Sequence, residues 1–390
     1  MISKDVSVKK IAIVGASYLQ EPLIDCAKAR GYETHVFAWE TGDVGEKSAD
    51  YFYPISVREK ERILEKCIEI GIDGICSIAS DIANITVNYV AHKMSLTGNS
   101  PSSVKMSSNK YYMRKRFYER GDPSPRYRIV HSIEDGYENT LDYPIIVKPV
   151  DRSGSRGITR VNEAAGLKSA IESAFSVGFE KSVMIEEYVS GHEYSVECIS
   201  WDGRHTFLSL TQKYTTGFPH YIETGHLEPA IVTDQMLERI KAVVFHALDS
   251  LEIRYGASHS EIKITENEEI KIIEIGARMG GDNIGSALVQ LTTGYPFVDA
   301  VLDVSLGIEP KYKKTRNRCA GIRFVISNDD IEVLNRIRCE HPDLLVMESI
   351  GVIKDDTIKD SSSRFGYYII VSDDESIIQE YMPNETDNML

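Results

Sequence analysis

Long apolar runs are missing from this 390-residue sequence. No stretch approaches the eighteen or so apolar residues that a membrane-spanning helix needs, and the first ten residues hold no signal-peptide core. No membrane partner is expected, and the chain is expected in the cytoplasm. Basic charge is also short: 44 Lys and Arg stand against 59 Asp and Glu, a net charge of −15. A general nucleic-acid binder grips phosphate with basic surface, so that class is excluded, and any anionic ligand needs local devices to hold it. Cysteine is sparse, at six scattered positions with no Cys-x-x-Cys pair, which excludes a disulfide framework and a zinc site of the usual spacing. Internal repeats are lacking. So is a complete dinucleotide fingerprint: Gly15 ends an apolar run, but Ala-Ser-Tyr-Leu-Gln follows where further glycines belong.

What remains is an ordinary globular composition, 42% apolar and 26% charged, long enough for two or three domains with a real core. Strands over 10–16, 33–39 and 73–78 alternate with helices over 21–29 and 59–70, the pattern of a parallel α/β layer. Asn109 caps a helix that runs to Arg120 before a Gly-Asp-Pro break. Strands then dominate: 144–149, 157–161, 183–188, 194–200 and 206–212. Helices near 234–251 and 283–291 bracket a hairpin at 259–276. The last eighty or so residues, with strands near 319–326, 351–358 and 366–371, read as a small α+β unit. Trp39 and Trp201 read as core or cap residues.

The hairpin is the most informative segment. Its polar turn centres on Asn267–Glu268, so paired residues carry numbers summing to 535, and Glu261 faces Glu274 on one face. Two carboxylates so placed repel unless a cation lies between them, and their oxygens suit Mg²⁺. Arg278 shares the parity of Glu274, which points its fork of donors to the same face, suited to a phosphoryl group or a carboxylate.

Two further clusters stand out. Lys148 ends an apolar strand, where a buried ammonium needs an anion close by. The loop after it, Ser153-Gly154-Ser155-Arg156-Gly157, can fold backbone N–H groups over phosphates. Glu186-Glu187-Tyr188-Val189 enters a short linker, and Glu193 lies seven positions after Glu186. The basic run from Lys110 through Arg114, Lys115, Arg116 and Arg120 reads as one inward lysine on an otherwise solvated helix face.

Together these motifs resemble the ATP-grasp superfamily of carboxylate–amine ligases, over almost the whole chain. The resemblance implies α/β and α+β architecture: a Rossmann-like layer (1–106), a two-lobed ATP-grasp core (107–306, with a mobile lobe about 121–190) and a small C-terminal lobe (307–390). It implies that Lys110 and Lys148 contact phosphate and that Ser153, Gly154, Ser155 and Gly157 form the loop over the triphosphate. Glu186, Glu187, Tyr188 and Val189 match the adenine hinge and Glu193 the ribose ligand. Glu261 and Glu274 match the metal carboxylates, for Mg²⁺ or in its place Mn²⁺. Arg278 and Lys148 take the catalytic places beside the transferring phosphate. Where the family often has an asparagine ligand after Glu-Ile, this chain has Gly276, so phosphate oxygens or water would complete a second ion's shell.

The pattern around Lys213, Glu223–Pro229 and Gly256–Glu261 is most similar to L-amino-acid (dipeptide) ligases, and Ser362-Ser-Arg364-Phe-Gly-Tyr resembles their C-terminal lobe. That resemblance implies ATP-dependent amide formation through an acyl phosphate, with ATP, a carboxylate and an amine as partners and a homodimer allowed. His226, His259 and Gly281 are the substrate-side candidates, although each histidine reads first as a packing or hydrogen-bonding residue. The alternatives are a phosphoribosylamine–glycine ligase, a carbamoyl-phosphate-synthetase-like enzyme and, outside the enzymes, a nucleotide-binding regulator.

Overall fold

The computed structural model describes residues 8–137, 140–152, 154, 156–218, 221–353 and 361–384. Three sheets organise them. The first is parallel, in the order Tyr51–Tyr53, Glu33–Phe37, Lys10–Val14, Gly74–Cys76. Its central strand, Ile11 to Val14, is fully buried, as expected of a strand covered on both faces. The helix Phe297–Ser305 packs into the same core as Ile11, Leu23 and Val36, so a late segment of the chain completes the first layer.

The second sheet is antiparallel and has four strands, Tyr127–Val130, Val183–Glu187, Ile145–Pro149 and Thr159–Val161 in spatial order. The helix Leu167–Val177 covers one face of it. The third sheet has eight strands: Ile270–Gly276, Gly256–Ile264, His192–Trp201, Arg204–Thr215, Glu223–Glu228, Cys319–Val325, Gly366–Ser372 and Leu345–Ile350. Glu223–Glu228 pairs with Cys319–Val325, so the sheet runs without a break into the C-terminal strands.

Alternation along these strands separates core from site. Val196, Cys198, Leu210, Ile262 and Ile264 pack under the helices Lys110–Arg120 and Asp234–Ser250. Glu197, Lys213, His259, Glu261 and Lys263, one residue out of phase, stand on the opposite face, because successive side chains of a strand point to opposite sides.

Two expectations fail. The strand placed at 351–358 lies earlier, at Leu345–Ile350, while 354–360 fall outside the described residues. Its side chains are nearly all exposed, so no burial pattern marked it in the sequence. Of the two places read for Trp39, core or cap, the core one fails, the side chain being 55% exposed just beyond the strand Glu33–Phe37, whereas Trp201 packs edge-on against Tyr255. No described helix is long and apolar enough to cross a membrane.

Candidate active site

The hairpin places its two glutamates opposite each other: Glu261 pairs with Glu274, Ser260 with Ile275 and His259 with Gly276. Between Glu261 and the turn the register slips by one, so that Ile262 faces Ile272 and Ile273 is the extra residue of a bulge. The freed carbonyl of Ile273 accepts a hydrogen bond from Arg114 Nη2.

Each glutamate meets a lysine from another element. Lys110, the first residue of the capped helix, donates to Glu274 Oε1 at 2.7 Å and to the Arg152 carbonyl at 2.8 Å. Lys213 lies 2.8 Å from Glu261, 2.8 Å from Glu193 and 3.8 Å from Glu223. Burial disfavours both charges, but the ion pairs outweigh it: Lys213 sits well above the ordinary lysine range and Glu261 well below that of a carboxyl.

A second network joins three segments. Glu186 is paired with Arg114 and Lys148, each at 2.6 Å, and all three side chains are buried. Burial pushes Lys148 below its usual range, an effect that Glu186 opposes and Arg114 reinforces. Burial alone would raise the Glu186 carboxyl, but the two cations hold it below its usual range. The anion that buried Lys148 requires is therefore a side chain of the protein itself. This corrects the reading of the helix 110–120, in which only Lys110 turns inward. Arg114 is 1% exposed and lies on the same face, one turn on.

Arg278 is held by Asp81, with Nε to Oδ1 at 2.9 Å and Nη2 to Oδ2 at 3.1 Å. A Cβ on Gly276 would sit 2.9 Å from Asp81 Oδ1 and 3.2 Å from Arg278 Cζ. The space in which an asparagine side chain would begin is thus filled by this pair. His259 Nδ1 bonds to the fully buried Glu197, whose other oxygen accepts from the Gly280 N–H at 3.0 Å. Burial would lower the His259 pKa, yet Glu197 and Glu261 lift it to about 9.

Two cavities open over this face. One, of about 190 Å³, is lined by Lys110, Lys148, Gly154 and Glu186 to Val189, with Glu193, Glu261, Glu274 and Arg278 on the same walls. Glu187 is tied to Arg126 at 2.6 Å, Arg160 stacks on Tyr188 at 4.2 Å, and the Val189 carbonyl accepts from Lys263 at 3.3 Å. The other, of about 720 Å³, is lined by His226, Gly281, Asp282 and Arg364 among others. Asp81, Gly154, Lys213, Glu223, His259, Glu261 and Arg278 border both cavities. Gly157 lies off the lining, with Val177 Cγ2 only 2.8 Å from where its Cβ would be. Ser153 and Ser155 fall outside the described residues.

Residues 141–286 match the family model of the ATP-grasp domain. Over this stretch the chain is similar to an ATP-grasp domain. The match takes in Lys148, the glycine loop, the 186–193 linker, both hairpin glutamates and Arg278, while Lys110 lies upstream of it. Over 299 residues, 67% of this chain, it is 24% identical to the alanine–anticapsin ligase of Bacillus subtilis, and over 235 residues, 57% of this chain, 22% identical to the phosphoribosylamine–glycine ligase of Lactococcus lactis. The matched part spans 62% and 56% of those relatives' own lengths. An L-amino acid ligase structure from Bacillus licheniformis shares the fold, with a TM-score of 0.81 at 20% identity over 96% of both chains.

In the sequence, Asp81 and Glu197 carry no signal of their own. Asp81 reads as an acid in a helix's first turn behind the Ser80 cap, and Glu197 as one more strand residue. Parity would have found Glu197, which lies across from His259 in the sheet. Nothing local marks Asp81, whose partner lies 197 positions away.

As to a metal, no cluster of three or more His, Cys, Asp or Glu poised around a common point exists among the described residues. The hairpin supplies two carboxylates side by side, which is the donor set Mg²⁺ takes when substrate phosphates and water complete its shell. The residues therefore fit an ion that arrives with a nucleotide better than a resident one.

Proposed function

We propose that this chain is an ATP-dependent carboxylate–amine ligase, with the smaller cavity taking ATP and the larger one the substrates. The observation that carries the reading is the shared border: Arg278, His259 and Glu261 line both cavities, so a carboxylate in one can meet the terminal phosphate in the other. Lys110, Lys148, Gly154 and Arg278 bind and orient phosphate in this reading, while Gly157, off the lining, serves the turn of the loop. The linker Glu186–Val189 and Glu193 hold the nucleoside. Because the Glu186 side chain is committed to Arg114 and Lys148, its contribution to the base falls to the backbone.

A substrate carboxylate oxygen attacks the γ-phosphorus, the bond to the ADP oxygen breaks, and an acyl phosphate forms. An amine then attacks the acyl carbon, phosphate leaves with the bonding pair, and the nitrogen loses a proton. Catalysis is mainly positioning and charge stabilisation. Held by Glu261 and Glu274, Mg²⁺ supplies positive charge to the phosphates when bound. Lys148 adds a second charge, and Arg278, fixed by Asp81, holds the transferring group. A cytoplasmic setting suits both the ATP requirement and the free cysteines.

The test is phosphate release from purified protein with ATP, Mg²⁺ and single or paired amino acids. Release is expected only with substrates present, and Glu274→Gln is expected to abolish it. Undiminished turnover in that variant would remove the metal assignment, and no amino-acid-dependent release at all would remove the ligase reading.

A further inference from the structure

One wall of the larger cavity has no part in phosphate chemistry. Asp282 and Arg364 meet there in a two-pronged pair, Nη1 to Oδ2 at 2.9 Å and Nη2 to Oδ1 at 2.6 Å. Asp282 comes from the turn after Arg278, and Arg364 leads into the strand Gly366–Ser372. The guanidinium lies 3.7 Å from the centre of the Phe324 ring, which His226 meets edge-on at 5.4 Å. His226 Nε2 stands 3.7 Å from Asp282 Oδ2. Asp282 and Asn283 both hold left-handed backbone, at φ 51° and 60°, a conformation that non-glycine residues keep only where their surroundings impose it. Arg364 is thus fixed between an aromatic face and a carboxylate, with its rotamer entropy already lost.

The cavity's other deep cations are engaged elsewhere: Arg278 by Asp81, and Lys213 by Glu193 and Glu261. An arginine has five N–H donors, and Asp282 takes two of those on Arg364. A second carboxylate can share the fork, while Asp282 and Glu223 offer negative charge to an ammonium nearby. A phosphate dianion carries twice the charge of a carboxylate against those same two acidic side chains, and so meets the greater repulsion there.

We propose that Arg364, oriented by Asp282, anchors the free carboxylate of the amine-bearing substrate, and so selects a zwitterionic amino acid over a phosphorylated amine as acceptor. The assignment rests on the ligase reading and adds to it a specificity-determining residue.

The experiment compares each of the proteinogenic L-amino acids with its own amide as acceptor. The amide keeps the amine and the side chain but lacks the carboxylate. The wild-type protein is expected to favour the acid by on the order of 10- to 100-fold in kcat/KM, the range of a charge-assisted bidentate contact. In Arg364→Met this ratio is expected to fall toward one, and in Arg364→Lys to recover in part. General damage to the fold would slow acid and amide together and leave the ratio as it was, so an unchanged ratio in Arg364→Met overturns the proposal. Absence of ATP turnover with every amino acid would instead be a failure of the ligase reading. The same pairs of ligands then decide by thermal shift. An acid-specific shift that Arg364→Met loses supports the anchor; one that it keeps, or none in the wild type, refutes it.

Discussion

Glu228 makes a sharp test of how burial governs this molecule. Its side chain is fully buried at the end of the strand Glu223–Glu228, accepting from Thr211 Oγ1 at 2.9 Å and from Thr292 Oγ1 at 2.6 Å. Burial pushes its carboxyl up from 4.5 to about 7; the threonine bonds pull the other way, and the charge of Glu197 adds to the rise. The folded-state pKa thus lies above the unfolded one, so the group's contribution is complete below pH 4.5 and is lost as pH rises through about 7. The shift corresponds to about 3 kcal/mol at and above neutrality. Glu228→Gln has nearly the shape and hydrogen-bonding pattern of the protonated acid but cannot ionise. The variant is therefore expected to match the wild type near pH 4 and to exceed it by about 3 kcal/mol near pH 8. Urea unfolding at a series of pH values measures this. Parallel stability curves, or a variant weaker than the wild type near pH 8, would refute the argument that desolvation dominates at this carboxylate.

Other outcomes follow from the same geometry. Glu186→Gln strands two buried cations and is expected to cost about 3–5 kcal/mol in urea unfolding, against under 1 kcal/mol if the triad were solvated. Gly280→Ala would put a Cβ 2.5 Å from Glu197 Oε1 and 2.7 Å from His259 Nδ1, so a lowered melting temperature is expected. Gly281→Ala meets only Ala79 Cβ at 3.7 Å and is expected to melt like the wild type; equal melting of the two variants would contradict the packing argument. Asp81→Asn leaves Arg278 without its charged partner and is expected to lower kcat on the order of 10- to 100-fold in the phosphate-release assay. An unaffected rate would show that Arg278 needs no such support.

How far the site was legible from sequence is clearest in the hairpin. Counting outward from the turn put Glu261 across from Glu274, and that pairing holds, but for a reason the count did not contain. The strand ends nearest the turn pair with a sum of 534, and the bulge at Ile273 restores 535 at the glutamates. Alternating polarity reveals which face a side chain takes, but it does not reveal a bulge. The helix from Lys110 to Arg120 was legible in its cap and its ends, yet Arg114 was misread because an arginine in a basic run looks solvated until its distant partner Glu186 is known. Asp81 shows the same limit. Pairings that close over many residues are properties of the fold, and the residues carrying them look ordinary where they stand. The superfamily resemblance supplied the order of the motifs, while the geometry supplied which charges neutralise which.

The unbroken eight-stranded sheet has a practical consequence. The strand Glu223–Glu228, which ends at the buried Glu228, has Cys319–Val325 as its neighbour on one side, and that neighbour arrives only with the last quarter of the chain. Cutting the protein after the helix Phe297–Ser305 would not release a tidy catalytic module. It would bare a row of backbone donors and acceptors on an interior strand, the kind of raw edge that recruits other strands into aggregates. Any shortening of this scaffold therefore has to spare the C-terminal strands, which serve as the selvage that keeps the sheet from fraying.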